Sequence, residues 1–332
     1  MRDLIQKLTA TFGPAGSEQK IRLLIEEEAK KYCDEIFIDP LGNLVAIKKS
    51  PAAKKDILLA AHMDEIGFMV TFIDEKGFLR FTNIGGLLLN TLVGSKVIFS
   101  NGTVGVIGQE KLKQRKDLAL NKLYIDIGAK DRDEALKMVR IGDTAAFFAS
   151  FHQNGDRIVA KSLDNRVGCA VLLETLKKVP DSLPNNLYFV FTVQEEVGLR
   201  GAGPIAYRLK PDYGIAVDVT RVGDTPKPEF KMEVSLGKGP AIKIKDSSII
   251  CHPEVTGRMI EIAEKNKIPY QLEILERGGT DAGAIHLSRE GVPAGVLSIP
   301  CRYVHTPAEI VDLKDIENGI TLLLEILKDK WP

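Results

Sequence analysis

The feature that most restricts the fold is an alternation of short apolar runs with amphipathic helical segments. The runs ILLAA (57–61), LYFVFTV (187–193), GIAVDV (214–219) and GVLSI (295–299) have the length and continuous hydrophobicity of strands covered on both faces. Helical patterns stand between and after them, at 166–178, 254–265 and 313–327. Strands that alternate with helices indicate a three-layer α/β domain with a largely parallel sheet.

A stretch with a different residue pattern interrupts this alternation. Between about residues 67 and 155, short β-rich segments are separated by Gly and Asn turns, and SNGT at 100–103 is a strong hairpin signal. Several short strands with frequent turns predict a small barrel or sandwich. We therefore expect a main α/β domain made of residues 1–66 and 157–332, with a barrel-like domain inserted at 67–156.

Composition narrows the class of protein. The 332 residues carry 45 Lys and Arg against 45 Asp and Glu, so the zero net charge gives no electrostatic reason to expect nucleic acid or an anionic membrane as a partner. No apolar run approaches the roughly 18 residues of a membrane span, and the N-terminus lacks the apolar region of a secretory signal. The four cysteines are dispersed, which favours a reducing cytoplasm and small core residues over a zinc–thiolate site.

Polar residues stand where the apolar runs end. In open α/β sheets, ligands bind beyond the carboxyl ends of the strands, so these side chains should converge. Two imidazoles with several carboxylates suit divalent ions such as Zn or Co. Each residue alone has a simpler explanation, because a Glu pair can lie in a solvated loop and an Asp can cap a helix. The joint arrangement favours a metal site formed by His62, Asp64, Asp164, Glu195, Glu196, Asp218 and His305.

Six ordered motifs carry a resemblance to a known family. They are AHMDEIGF (61–68), SLDNRVGCAVLLE (162–174), FTVQEEVGLRGA (191–202), AVDVT (216–220), GGTDAGAIH (278–286) and RYVHTP (302–307). In this order they resemble the M42 family of metallo-aminopeptidases, which includes glutamyl and tetrahedral aminopeptidases and relatives labelled endoglucanase. The resemblance covers essentially the whole chain, including the β-rich insertion.

The resemblance implies a role for each site residue. His62 and Asp218 would hold one divalent ion, Glu196 and His305 would hold a second, and Asp164 would bridge the two. Asp64 would orient His62, and Glu195 would act as the general base. The peptide bond between Asp164 and Asn165 would be cis.

The activity implied is the removal of N-terminal residues from short peptides by a water shared between two ions, Zn or Co, with Glu195 moving the proton. The family also implies dimers, with the inserted domain serving dimerisation or as a lid, that assemble into a tetrahedral dodecamer. Two alternatives stay open. A glycoside hydrolase also needs two carboxylates, although 6% aromatic residues and a single Trp offer little for sugar stacking. The other is a non-catalytic assembly that keeps the fold.

Overall fold

The structure is a computed structural model and describes residues 1–180, 182–228 and 231–332. The strands in these ranges are β1 (Glu35–Ile38), β2 (Leu44–Lys48), β3 (Asp56–His62), β4 (Gly67–Ile73), β5 (Leu79–Ile84), β6 (Lys96–Phe99), β7 (Val104–Gln109), β8 (Leu123–Asp126), β9 (Thr144–Phe147), β10 (His152–Asn154), β11 (Arg157–Ala160), β12 (Asn186–Thr192), β13 (Tyr213–Thr220), β14 (Ala241–Lys245), β15 (Gln271–Ile274), β16 (Ala294–Arg302) and β17 (Glu309–Asp312). The α-helices are α1 (Arg2–Ala10), α2 (Gln19–Ala29), α3 (Arg132–Met138), α4 (Leu163–Lys178), α5 (Ala202–Leu209), α6 (Pro253–Lys265), α7 (Ala282–Ile285) and α8 (Leu313–Lys328).

One large sheet has the strand order β1-β2-β12-β3-β13-β16-β17-β11-β10, with β14 and β15 added beside β16. Its four central strands, β12, β3, β13 and β16, run parallel. The strands outside them on this path pair antiparallel, so the expectation of a largely parallel sheet holds only at the centre. Three of these pairs, β1–β2, β10–β11 and β16–β17, are joined by short connections, which link antiparallel neighbours.

Helices cover both faces of this sheet. Successive residues of β3 point to opposite sides, so Ile57 and Leu59 lie in one hydrophobic cluster while Leu58 and Ala60 lie in another. Residues of α1, α2, α4, α6 and α8 complete the first cluster, and residues of α5 and α7 complete the second. The three-layer α/β fold predicted from the alternation is confirmed.

The β-rich stretch forms a closed barrel in the order β4-β5-β8-β7-β6-β9. Phe68 fills its interior and contacts Phe81 and Phe147 edge to face, with ring centroids 5.3 and 5.1 Å apart. The predicted barrel-like component of the fold is therefore confirmed. The range 67–156 for the insertion stays a prediction; the barrel uses strands between Gly67 and Phe147, and β10 joins the edge of the large sheet.

None of the helices in the described ranges has the length and hydrophobicity needed to cross a membrane. Cys169, Cys251 and Cys301 are buried free thiols and Cys33 is half-buried, as expected of small core residues.

Candidate metal centre

The candidate site lies where the carboxyl ends of the central strands meet. β3 ends at His62, β13 carries Asp218 near its end, and the chain after β12 and β16 carries the remaining acidic and imidazole groups. The seven residues selected from the sequence lie around one cavity or directly behind its wall: His62, Asp64, Asp164, Glu195, Glu196, Asp218 and His305.

The first ligand group consists of His62, Asp164 and Asp218. Nε2 of His62 lies 3.2 Å from Oδ1 of Asp164 and 3.7 Å from Oδ1 of Asp218. One potential ligand atom from each residue lies within 4.8 Å of the other two, and all three residues are buried. This spacing leaves room for one ion that replaces the direct contacts.

The second ligand group consists of Asp164, Glu196 and His305. Nε2 of His305 lies 3.3 Å from Oδ2 of Asp164 and 3.3 Å from Oε2 of Glu196. Asp164 therefore belongs to both groups and turns one carboxylate oxygen towards each imidazole. A carboxylate in this position is placed to bridge two ions.

Asp164 stands at the start of α4, where the helix is irregular. The Asp164–Asn165 peptide is cis, as the family resemblance implies. The side-chain amide of Asn165 donates to the backbone carbonyl of Val217 at 2.8 Å. The residue after Asp164 is therefore bound to β13 immediately before Asp218. This bond links the shared carboxylate to the strand that carries the other Asp of the first ligand group.

The clustered carboxylates of the site need positive charge to compensate them. Burial raises the pKa of Glu195 well above its ordinary value, opposed by His62 and reinforced by Asp218. Burial alone would lower the pKa of His305, but Glu196 and Asp164 outweigh it and raise that pKa to about 11. In the metal-free protein, protons on the imidazoles therefore compensate the clustered carboxylates, and divalent ions could take over that role.

The residues present fit divalent metal ions. Oε1 of Glu196 is buried and has no hydrogen-bond partner, which is costly for a carboxylate unless a cation contacts it. The two groups offer imidazole nitrogen and carboxylate oxygen without thiolate, the donor set of catalytic rather than structural zinc sites. Zinc, cobalt and related ions satisfy the same ligands.

Glu195 and Glu196 follow β12 through a turn and not in an extended segment. The strand ends at Thr192, and Gln194 has a φ of 55°, in the left-handed region. Strand pleating therefore does not separate the two side chains. The turn separates them instead: Oε2 of Glu195 lies 3.8 Å from Nε2 of His62, whereas Glu196 contacts His305.

Asp64 holds this turn in place. Its Oδ1 accepts the backbone N–H of Glu195 and its Oδ2 accepts that of Glu196, both at 3.1 Å. The backbone carbonyl of Asp64 lies 3.1 Å from Nδ1 of His62. Because a carbonyl can only accept, Nδ1 carries the proton that meets it, and Nε2 is the nitrogen that faces the first ligand group and would bind an ion.

Glu309 is a positioning residue that the sequence reasoning missed. Its Oε2 accepts the backbone N–H of Asp164 at 2.9 Å, and its Oε1 accepts that of His305 at 2.8 Å. Burial, reinforced by the Asp164 carboxylate, raises the pKa of Glu309 to about 8. It lies four residues after His305 at the start of β17, outside the six motifs, so no local signal marks it.

A cavity of about 380 Å³ opens over the two ligand groups. Glu195, Glu196 and His305 contribute to its floor, and its walls include Leu199, Leu275, Arg221, Arg277, Val304 and Gly86. Asp281, a further acidic residue near the site, is buried and accepts a hydrogen bond from Thr192 at 2.5 Å. It is not among the described residues that line the cavity.

Comparison with known proteins agrees with this geometry. The sequence model of the family described as M42 glutamyl aminopeptidase matches residues 42–322. A relative from Acetivibrio thermocellus is 54% identical, and the match covers 98% of both chains. An aminopeptidase structure from the archaeon Desulfurococcus kamchatkensis is 41% identical, covers 98% of this chain and 94% of its own, and superposes with a TM-score of 0.94.

The TET1 peptidase of Pyrococcus horikoshii, described as assembling into a tetrahedron or a large octahedral shell, is 35% identical with a TM-score of 0.89. That match covers 98% of this chain and 99% of the other. Full-length similarity in sequence and fold, together with a metal-compatible site at the expected strand ends, means that the chain belongs to the M42 family of metal-dependent aminopeptidases.

Proposed function

We propose that this protein is a two-metal aminopeptidase that removes N-terminal residues from short peptides. The observation that carries the proposal is Asp164, whose two carboxylate oxygens face one imidazole each and so join two ligand groups into one centre. In the proposed assignment His62 and Asp218 would hold one ion, Glu196 and His305 would hold the other, and Asp164 would be shared by both. Glu195 holds no ion and is the general base.

The two divalent ions would supply a Lewis acid for the scissile carbonyl and a water of lowered pKa. Glu195 would take a proton from this water and return it to the nitrogen of the leaving amine. The turn anchored by Asp64 keeps this carboxylate beside His62 while Glu196 faces His305.

The cavity floor would also account for the preference for chain ends. In this assignment the free N-terminal amine of a substrate would bind at the ions or at a carboxylate of the floor, where Glu195 and Glu196 lie. An internal peptide bond brings no such amine. The cavity volume of about 380 Å³ suits a few residues of an extended peptide and not a folded chain.

The test is hydrolysis of an aminoacyl-p-nitroanilide panel by protein dialysed against EDTA and reloaded with Zn or Co. We expect activity that disappears with EDTA and returns with either metal. Glu195→Gln should abolish turnover while retaining both ions, which metal analysis by mass spectrometry measures. Activity unaffected by EDTA would contradict the proposal.

A glycoside hydrolase fits the site less well. Its two carboxyls act as acid and as base or nucleophile without metal, whereas here Asp164 and Glu196 each contact an imidazole. The described residues that line the cavity include no Trp, Tyr or Phe on which a sugar ring could stack. Metal-independent release of reducing sugar from cellulose would favour this alternative. A non-catalytic assembly would bind metal and hydrolyse neither substrate.

We also propose that the protein works as a cytoplasmic homo-oligomer of dimers that form a tetrahedral dodecamer. The full-length similarity to a peptidase described as forming a tetrahedron or an octahedral shell supports the assembly. The four unpaired cysteines support the cytoplasmic location, because the cytoplasm keeps thiols reduced. Multi-angle light scattering with and without metal measures the assembly. A monomer under both conditions would contradict it.

A further inference from the structure

Two glycines of the barrel domain lie directly against the second ligand group. Strand β5 ends at Ile84, and Gly85 and Gly86 follow it. A Cβ added to Gly86 would stand 2.9 Å from Nδ1 of His305 and 3.2 Å from its Cε1. A Cβ added to Gly85 would stand 3.1 Å from Oε2 of Glu196. The barrel backbone thus reaches Glu196 and His305, the two side chains that belong to the second ligand group alone.

The imidazole of His305 is confined from both edges. Its Nε2 edge faces the carboxylates of Asp164 and Glu196 at 3.3 Å, and its Nδ1 edge faces Gly86. The backbone at His305 has a φ of 68° and is held by the N–H bond to Glu309. The ring is therefore bounded on these two edges, and a methyl group at residue 86 would press on its Nδ1 edge and displace Nε2 from the position at which it can bind an ion.

We propose that Gly86 is a positioning residue for His305, so that the barrel domain, through its Gly85–Gly86 segment, forms one wall of the second metal site. This inference rests on the proposed two-metal function but concerns metal binding and not turnover. It gives the inserted domain a part in building the centre, besides any role in assembly. It also predicts that small movements of the barrel alter the second ligand group and leave the first unchanged.

Gly86 is a cleaner position for a test than Gly85. The φ of Gly85 is +74°, so any substitution there strains the backbone as well as crowding Glu196. Gly86 is outside that left-handed region, so Gly86→Ala adds only a methyl group. The matched control is Gly257→Ala in α6, where an added Cβ would meet no atom within 4 Å.

The experiment is a titration of the metal-free full-length protein with Zn or Co, followed by metal analysis and, for Co, by the visible absorption of the bound ion. We expect the wild type and Gly257→Ala to bind two ions per chain. Gly86→Ala should bind the first normally and the second about 10- to 100-fold more weakly, the usual effect of disturbing a group that orients a ligand. Two ions bound with wild-type affinity by Gly86→Ala would overturn the inference.

A double variant separates this role from a general packing defect. In His305→Ala the ring is absent, so adding Gly86→Ala should cause no further loss of metal affinity or of thermal stability. If Gly86→Ala alone fails to fold but the double variant folds like His305→Ala, the clash with the ring is supported. Equal damage from Gly86→Ala in both backgrounds would overturn it.

Failure of the proposed function is distinguishable from failure of this inference. If the wild type binds two ions but hydrolyses no peptide, and Gly86→Ala loses the second ion, the positioning role stands and the peptidase proposal falls. If the wild type hydrolyses peptides and Gly86→Ala keeps both ions, the peptidase proposal stands and the positioning role of Gly86 falls. A wild type that binds fewer than two ions would overturn both.

Discussion

The two ligand groups are positioned by different means. In the first, His62 and Asp218 belong to the central strands β3 and β13, and their side chains are 2% and 8% exposed. In the second, Glu196 and His305 lie in turns after β12 and β16, and the His305 side chain is 24% exposed. Each member of the first pair is held by a backbone ladder on one side, His62 beside Thr192 of β12 and Asp218 beside Ser298 of β16. Individual hydrogen bonds from Asp64 and Glu309 hold the second pair.

The difference indicates how sensitive each group should be to change. A residue within a ladder keeps its place when one neighbour is altered, because several main-chain hydrogen bonds hold its backbone. A residue in a turn depends on the few side chains that bind its backbone. We therefore expect the second ligand group to bind its ion more weakly and to respond to substitutions that leave the first group intact.

The largest expected effect comes from Glu195, the proposed general base, which lies beside His62 of the first group. Glu195→Gln should lower kcat by about 10²- to 10⁴-fold because it removes the proton acceptor, while both ions remain bound. Activity assays and metal analysis on the same preparation measure this. Glu196→Gln is the control and should instead lower occupancy of the second ion. Equal loss of metal in the two variants would contradict the proposal that the neighbouring glutamates have different roles.

Stability of the metal-free protein should separate the two histidines. His62→Ala removes the shared partner of the buried Asp164 and Asp218 and of the half-buried Glu195. It should cost about 3 kcal/mol, as when one member of a buried ion pair is removed. His305→Ala should cost less, because its more exposed site admits water. Guanidinium denaturation in EDTA measures both. A larger loss for His305→Ala would reverse the comparison.

Asp64 links the groups, so its substitution should affect both. Asp64→Asn keeps the shape but offers one acceptor oxygen to two N–H donors, so the turn carrying Glu195 and Glu196 loses one anchor. We expect kcat to fall about 10- to 100-fold, with weaker binding of the second ion. Steady-state kinetics at saturating metal distinguish the two contributions. Unchanged kinetics would mean that the turn needs no such anchor.

The smallest effect should come from Glu309, which acts on His305 and on the shared Asp164 through their backbone N–H groups only. Glu309→Gln retains one acceptor and should weaken the second ion by about 10-fold, the low end for such positioning residues. Isothermal titration calorimetry with Zn resolves the two binding steps. Weakening of the first ion instead would show that Asp164 depends on Glu309 more than His305 does.

Much of the fold could be predicted because its signals are local. Continuous apolar runs mark strands buried on both faces, and β3 has this character from Ile57 to Ala61. The SNGT turn marks a hairpin of the barrel, where Gly102 has a φ of 92°. The antiparallel edges of the sheet were not predicted, since nothing in β11 or β17 states which strand each will pair with.

The residues of the candidate site also differ in whether a local sequence signal marks them. Strand ends converge in any open α/β sheet, so His62 and Asp218 could be grouped from the sequence as soon as their strands were recognised. Glu309 and Gly86 could not, because Glu309 acts through its carboxylate on the backbone of two other residues and Gly86 acts by lacking a side chain. Neither property leaves a pattern in the neighbouring residues.

By itself the sequence determined the layer architecture, the barrel and the chemical types gathered at the strand ends, because periodicity and residue type act over short distances. Only the tertiary structure decided how the second ligand group is held. The contacts of His305 with Asp164, Glu196 and Gly86 join segments far apart in the chain. Such contacts depend on how barrel and sheet pack, which no local pattern encodes.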